Sequence, residues 1–150
     1  MLTLNLFQSA GSRSDRDLIV AVTLATLGWL HSGRVTIIYH IAEAADWEQA
    51  QRAGQYTTST RGVSLAEQGF IHTSQPAQVA LVANAYYQGV PDLILLTIDT
   101  ERVGSPIRYE LVPGQDLPYP HIYGPLNPDA VVATRPFAPG PGGVFTFNEP

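Results

Sequence analysis

Cysteine and lysine are both missing from this 150-residue chain. Without Cys there is no disulfide, thiolate metal site, iron–sulfur cluster or Cys nucleophile, and no clue to the redox compartment. Without Lys, all eight basic residues are Arg. Charged residues make up only 14% of the chain, against about 25% in a typical soluble protein. The formal net charge is −5. Nucleic acid and anionic membranes both need clustered positive charge, so neither is expected as a partner. Long hydrophobic runs are lacking too. The run from Leu18 to Leu30 falls well short of the roughly 20 residues of a membrane-spanning helix.

Familiar catalytic spacings are absent as well. There is no H-x-x-x-H, H-x-H or H-E-x-x-H, no G-x-S-x-G, no P-loop and no G-x-G-x-x-G. No metal is expected. What is present is apolar material for a core: 45% of the residues are hydrophobic. A chain of this size buries roughly 70% of the surface its unfolded form exposes.

The chain divides into three stretches: an N-terminal extension over 1–34, a single α+β domain over 35–138 and a Pro/Gly-rich tail over 139–150. In the first, Arg13 and Arg16 precede the apolar run, as in a secretory signal. Asp15 and Asp17 fit such a segment badly, and no A-x-A site follows. An amphipathic helix beside the domain is the plainer reading, and an upstream start codon another. The expected location is the cytoplasm. The tail, with Pro139 to Gly143, reads as loop.

Within 35–138, Val35 to Ile41 is β-branched and aromatic and reads as a strand. Ala44 to Ala53 reads as a helix, stopped by Gly54. Tyr56 to Gly62 reads as a loop. Ser64 and Glu67 fit a capping box, in which each side chain satisfies the other residue's free N–H. Phe70 to Thr73 reads as a short strand. Ser74 is placed to cap the next helix, with Pro76 in its first turn. Val79, Val82, Ala83 and Tyr86 predict one apolar face there. Asp92 to Asp99 holds a continuous apolar run, the mark of a buried central strand. Ile107 to Val112, His121 to Tyr123 and Ala130 to Phe137 are further strands. Strands in succession at the end argue for α+β rather than alternating α/β.

Three of the four His lie in or beside predicted strands: His40, His72 and His121. Strand alternation puts His40 on one face with Ile38, opposite Ile37, Tyr39 and Ile41. It pairs His72 with Phe70, and His121 with Tyr123. Any one of them, taken alone, is more simply a buried His bonded to a backbone carbonyl. All three together point to one cleft lined by a sheet. Glu110 is either a surface charge paired with Arg108 or the group that orients a His. Ser74 is either an ordinary cap or an anion site.

Several runs together resemble a known bacterial family. They are Ile38-Tyr39-His40-Ile41, Trp47, and the stretch from Ser64 through Gly69-Phe70-Ile71-His72-Thr73-Ser74. Asp92 to Leu96, Arg108-Tyr109-Glu110 and Pro120-His121-Ile122-Tyr123-Gly124-Pro125-Leu126 complete the set. Over about residues 36–137 the chain is similar to the family called domain of unknown function 952.

That resemblance implies a fold like that of ADP-ribosyltransferases: a mixed, mainly antiparallel split sheet with helices around an NAD cleft. It implies His40 beside the adenosine ribose or its phosphate, and His72 near the nicotinamide. Glu110 or His121 would fill a third position. The catalytic candidates are therefore His72, Glu110 and His121. Those for the cofactor are His40, Thr73, Ser74, Arg61, Arg108 and Tyr123.

Cleaving the ribosyl–nicotinamide bond builds positive charge on the ribose carbon, which a carboxylate such as Glu110 would stabilise. Tyr56, Tyr109 or Tyr123 would stack on the ring. Arg61, Arg108 and backbone N–H groups near Ser74 are the only donors for a diphosphate. Residues 35–138 hold five Arg against ten Asp and Glu, too few cations to hold an RNA backbone.

The reading that results is an NAD-binding, ADP-ribosyltransferase-like enzyme acting on a small molecule or protein. A non-catalytic nucleotide-binding or interaction module is the alternative. A small-nucleotide hydrolase using His and Glu is the third.

Overall fold

The computed structural model describes residues 35–150. The Leu18–Leu30 run, its flanking charges and His31 lie outside the described residues. Among the described residues, no helix is long and apolar enough to cross a membrane.

Strand β1 (Ile37–Glu43) runs directly into helix α1 (Ala44–Ala53). Gly54 ends that helix at φ 77°, a left-handed conformation that suits glycine. Strands β2 (Thr58–Thr60) and β3 (Val63–Ser64) form a small hairpin where a loop was expected. Ser59 explains the difference, because the strand buries this small hydroxyl completely. A short helix α2 (Leu65–Gln68) carries the expected capping box between Ser64 and Glu67. Strand β4 (Ile71–His72) and helix α3 (Pro76–Tyr86) follow. Strands β5 (Leu93–Asp99), β6 (Ile107–Glu110), β7 (Tyr119–Ile122) and β8 (Val131–Pro136) complete the set. The α+β reading holds, and every ladder among the described residues is antiparallel.

The strands form two three-stranded sheets, ordered β1-β5-β8 and β4-β7-β6, besides the hairpin. As its apolar run predicts, β5 is central and mostly buried. The two larger sheets meet at one backbone bridge, Tyr39 to Ser74. One core packs Ile38, Ala42, Trp47, Tyr56, Ile71 and Leu96 together with neighbouring side chains. Tyr39, Ile41, Val79, Ala83 and Tyr87 belong to the second. The alternation expected around His40 is thus real: Ile38 faces the first core, and Tyr39 and Ile41 face the second.

Two expectations at α3 are corrected. Ser74 does not cap it. Its N–H and carbonyl both pair with Tyr39 (2.8 and 2.9 Å), which makes it a strand residue. Gln75 caps instead, its N–H donating to Gln78 Oε1 at 2.8 Å. Val79, Val82 and Ala83 face the core as expected, but Tyr87 rather than Tyr86 joins them. Tyr86 is 75% exposed.

The tail is no free loop. Phe145 is 1% exposed and packs on Phe137 with ring centroids 5.2 Å apart. Asn84 on α3 accepts from the Phe145 N–H and donates to its carbonyl, both at 2.9 Å. After β7 the chain turns at Gly124 (φ 153°), where a Cβ would fall 2.9 Å from Ser105 Cβ.

Candidate functional site

The bridge between the sheets is a single rung, and the next one is missing. Tyr39 points both its backbone groups at Ser74, so by alternation Ile41 points the same way. Thr73 donates to Pro120, so His72, one residue before it, faces back toward β1. Ile41 and His72 would form the next pair. Side chains have taken both carbonyls instead. His40 Nδ1 donates to the His72 carbonyl at 2.6 Å, and Tyr87 Oη donates to that of Ile41 at 3.4 Å. The N–H groups of Ile41 and His72 are left facing the gap, with no protein acceptor among the described residues.

A cavity of about 500 Å³ opens at this gap. All three strand-borne His border it, together with Thr73 and Ser74. Its aromatic walls come from Tyr39, Phe70, Tyr86, Tyr87 and Tyr119. None of the lining residues is Asp, Glu, Lys or Arg.

The three imidazoles differ in what they have free. His40 is 2% exposed and spends both nitrogens on the protein. Its Nδ1–H serves His72, so its Nε2 must accept from Tyr56 Oη, at 2.8 Å. Burial holds the His40 pKa down at about 4, and burial pushes that of Tyr56 far up. The pair is therefore neutral, and His40 props the split rather than offering a nitrogen to a ligand.

His72 is held from behind by Ser59. The Ser59 hydroxyl donates to the Phe70 carbonyl at 2.5 Å, so its oxygen accepts from His72 Nδ1–H at 3.1 Å. That fixes the tautomer and leaves Nε2 as a bare acceptor. Burial, reinforced by the neighbouring His121, lowers the His72 pKa. Ser59→Ala is expected to cost about 1–2 kcal/mol of stability and to let His72 populate both tautomers. Imidazole ¹⁵N shifts would report this; an unchanged Nδ1–H signature would mean that Ser59 does not set the ring.

His121 sits opposite His72 on the central strand β7, with Arg108 on its other side. Its Nδ1 donates to Glu110 Oε2 at 2.6 Å, and Tyr123 Oη donates to both Glu110 oxygens at 2.8 and 2.9 Å. These bonds, His121's first, hold the Glu110 carboxyl below its usual range, and the same contact pushes Tyr123 up. Phe70 stacks on the His121 ring at 4.2 Å. The imidazoles of His72 and His121 meet edge to face, 5.3 Å between centroids.

The other sequence candidates fall differently. Glu110 pairs with His121, not Arg108, because cross-strand register sets its neighbours. Both of its oxygens are engaged, and it does not border the cavity. Arg108 lies over the Tyr123 ring at 4.5 Å. Arg61 pairs with Glu43 at 3.5 Å and does not border the cavity. Tyr56 is buried against His40, Tyr123 is held by Glu110, and none of Tyr56, Tyr109 and Tyr123 borders the cavity. The backbone N–H groups near Ser74 are spent: Thr73 serves Pro120, Ser74 serves Tyr39 and Gln75 serves Gln78. Sequence reasoning missed Ser59, Tyr39 and Tyr87. Only the alternation around His40, which puts Tyr39 on the opposite face, carried any hint of them. Among the described residues, no three His, Asp or Glu are grouped to hold a metal ion.

No curated protein matches this chain. The X-ray crystal structure of protein CC0527 from Caulobacter crescentus is 32% identical, with a TM-score of 0.66. That match covers 74% of this chain and 94% of CC0527. The solution NMR structure of CC0527 matches at 31% identity and a TM-score of 0.61, over 73% and 91% of the two chains. A family model described as protein of unknown function (DUF952) matches residues 41–134, more than half of the chain, and the chain belongs to that family.

Proposed function

We propose that the cleft binds an NAD-type nucleotide and that the protein is an ADP-ribosyltransferase-like enzyme acting at the ribosyl–nicotinamide bond. The observation that carries this reading is the meeting of two unlike sets of groups at one gap. His72 Nε2 is an acceptor, His121 Nε2 is turned away from Glu110, and the N–H groups of Ile41 and His72 are donors. A carboxamide ring attached to a ribose offers both complements: a carbonyl for the donors and hydroxyls for the imidazoles. Two antiparallel sheets that touch at one rung also fit the split sheet of such enzymes.

The chemistry is short. The bond from the ribose carbon to nicotinamide breaks, and its electron pair leaves with the ring. An acceptor hydroxyl forms the new bond to that carbon. Its proton passes to His72 Nε2, which is neutral at pH 7 because burial lowers its pKa. Glu110 is a positioning residue: it fixes His121 with Nε2 turned away from the carboxylate. With water as acceptor the same step is a hydrolysis.

Incubation with NAD is expected to raise the melting temperature and release nicotinamide, followed by chromatography. His72→Ala is expected to slow release about 10²- to 10⁴-fold while the chain stays folded. A thermal shift without nicotinamide release would make the protein a binding module, and no shift at all would remove the NAD reading.

A further inference from the structure

We propose that the molecule filling this cleft is recognised as a nucleoside, a base joined to a sugar, and that phosphate contributes nothing to its binding. The inference rests on the nucleotide reading above and narrows it. The lining carries no Asp, Glu, Lys or Arg side chain. The charged candidates lie outside the lining and have contacts of their own. Glu110 is held by His121 and Tyr123, Arg108 lies over Tyr123, and Arg61 is bound to Glu43. The start of α3 makes a poor cradle, since the N–H groups of Ser74, Gln75 and Gln78 have partners within the protein and Pro76 carries no N–H. His72 stays neutral at neutral pH and brings no cation.

A diphosphate drawn into such a space would lose its water and gain no counter-charge. An uncompensated buried ion is among the least tolerated arrangements in a protein. The net charge of −5 adds long-range repulsion. A base and its sugar meet the opposite situation. Tyr39, Phe70, Tyr87 and Tyr119 give the walls their aromatic, largely apolar surface. The Nε2 atoms of His72 and His121 suit sugar hydroxyls. Any phosphates carried by the ligand therefore stay outside the cavity, in water.

Calorimetric titrations with NAD, nicotinamide riboside and adenosine would test this. Nicotinamide riboside is expected to bind within about threefold of NAD, and raising NaCl tenfold is expected to leave both affinities unchanged, as they would be without a phosphate–cation contact. NAD binding about tenfold or more tighter than the riboside, and weakening with salt, would overturn the proposal while leaving the nucleotide reading in place. If none of the three probes binds to folded protein, both fall together.

Discussion

Replacing Phe145 with Ala is expected to lower the free energy of unfolding by about 3–5 kcal/mol, although this residue lies in a segment rich in Pro and Gly. Its side chain is almost fully buried against Phe137, and its backbone is held on both sides by Asn84. Truncation would leave a cavity in the core that Tyr39 and Ile41 share. Urea unfolding at neutral pH would measure the loss. A change below about 1 kcal/mol, the scale of an ordinary surface substitution, would show that the tail does not belong to that core.

The second large effect is acid sensitivity. His40 is neutral and buried, with a pKa near 4 in the folded chain against 6.5 for the free side chain. Above pH 6.5 neither folded nor unfolded chain is protonated there, and the contribution of this residue is complete. Below it the unfolded chain takes up a proton that the folded chain refuses, so stability falls as pH falls, until about pH 4. The depression corresponds to about 3 kcal/mol. Urea titrations of the parent and His40→Gln between pH 7 and about 4 would isolate it. The parent is expected to lose up to about 1.4 kcal/mol more per pH unit than the variant. Parallel curves would show that His40 is not held neutral.

Much of the frame was legible from local signals. Gly54 ends α1 where a glycine stop was expected, and the Ser64–Glu67 box forms because both partners lie within one turn. The apolar run of β5 could only be a central strand. The site was legible in part: His40, His72 and His121 do border one cavity. What hid was anything set by register. Glu110 reads either as a partner of Arg108 or as a group that orients a His, and only its diagonal place across the β6–β7 ladder shows that the His is His121. Ser59 reads as loop polarity, and only burial reveals that it serves His72. Phe145 alternates with Phe147 behind a Pro/Gly run whose composition signals loop. At α3 the stripe advances by four residues each turn, so Tyr87 rather than Tyr86 enters the core.

The absent rung has a final consequence. An open strand edge ordinarily invites a strand from another chain to continue the sheet, a route to aggregation. Here the opening is closed off on one side by the Tyr39–Ser74 bridge and walled by Leu81, Val82 and Ala85. Such an aperture filters by length. An opening one rung long is too short to pair with a whole polypeptide segment, so the protein keeps backbone donors on offer without becoming a template for its neighbours.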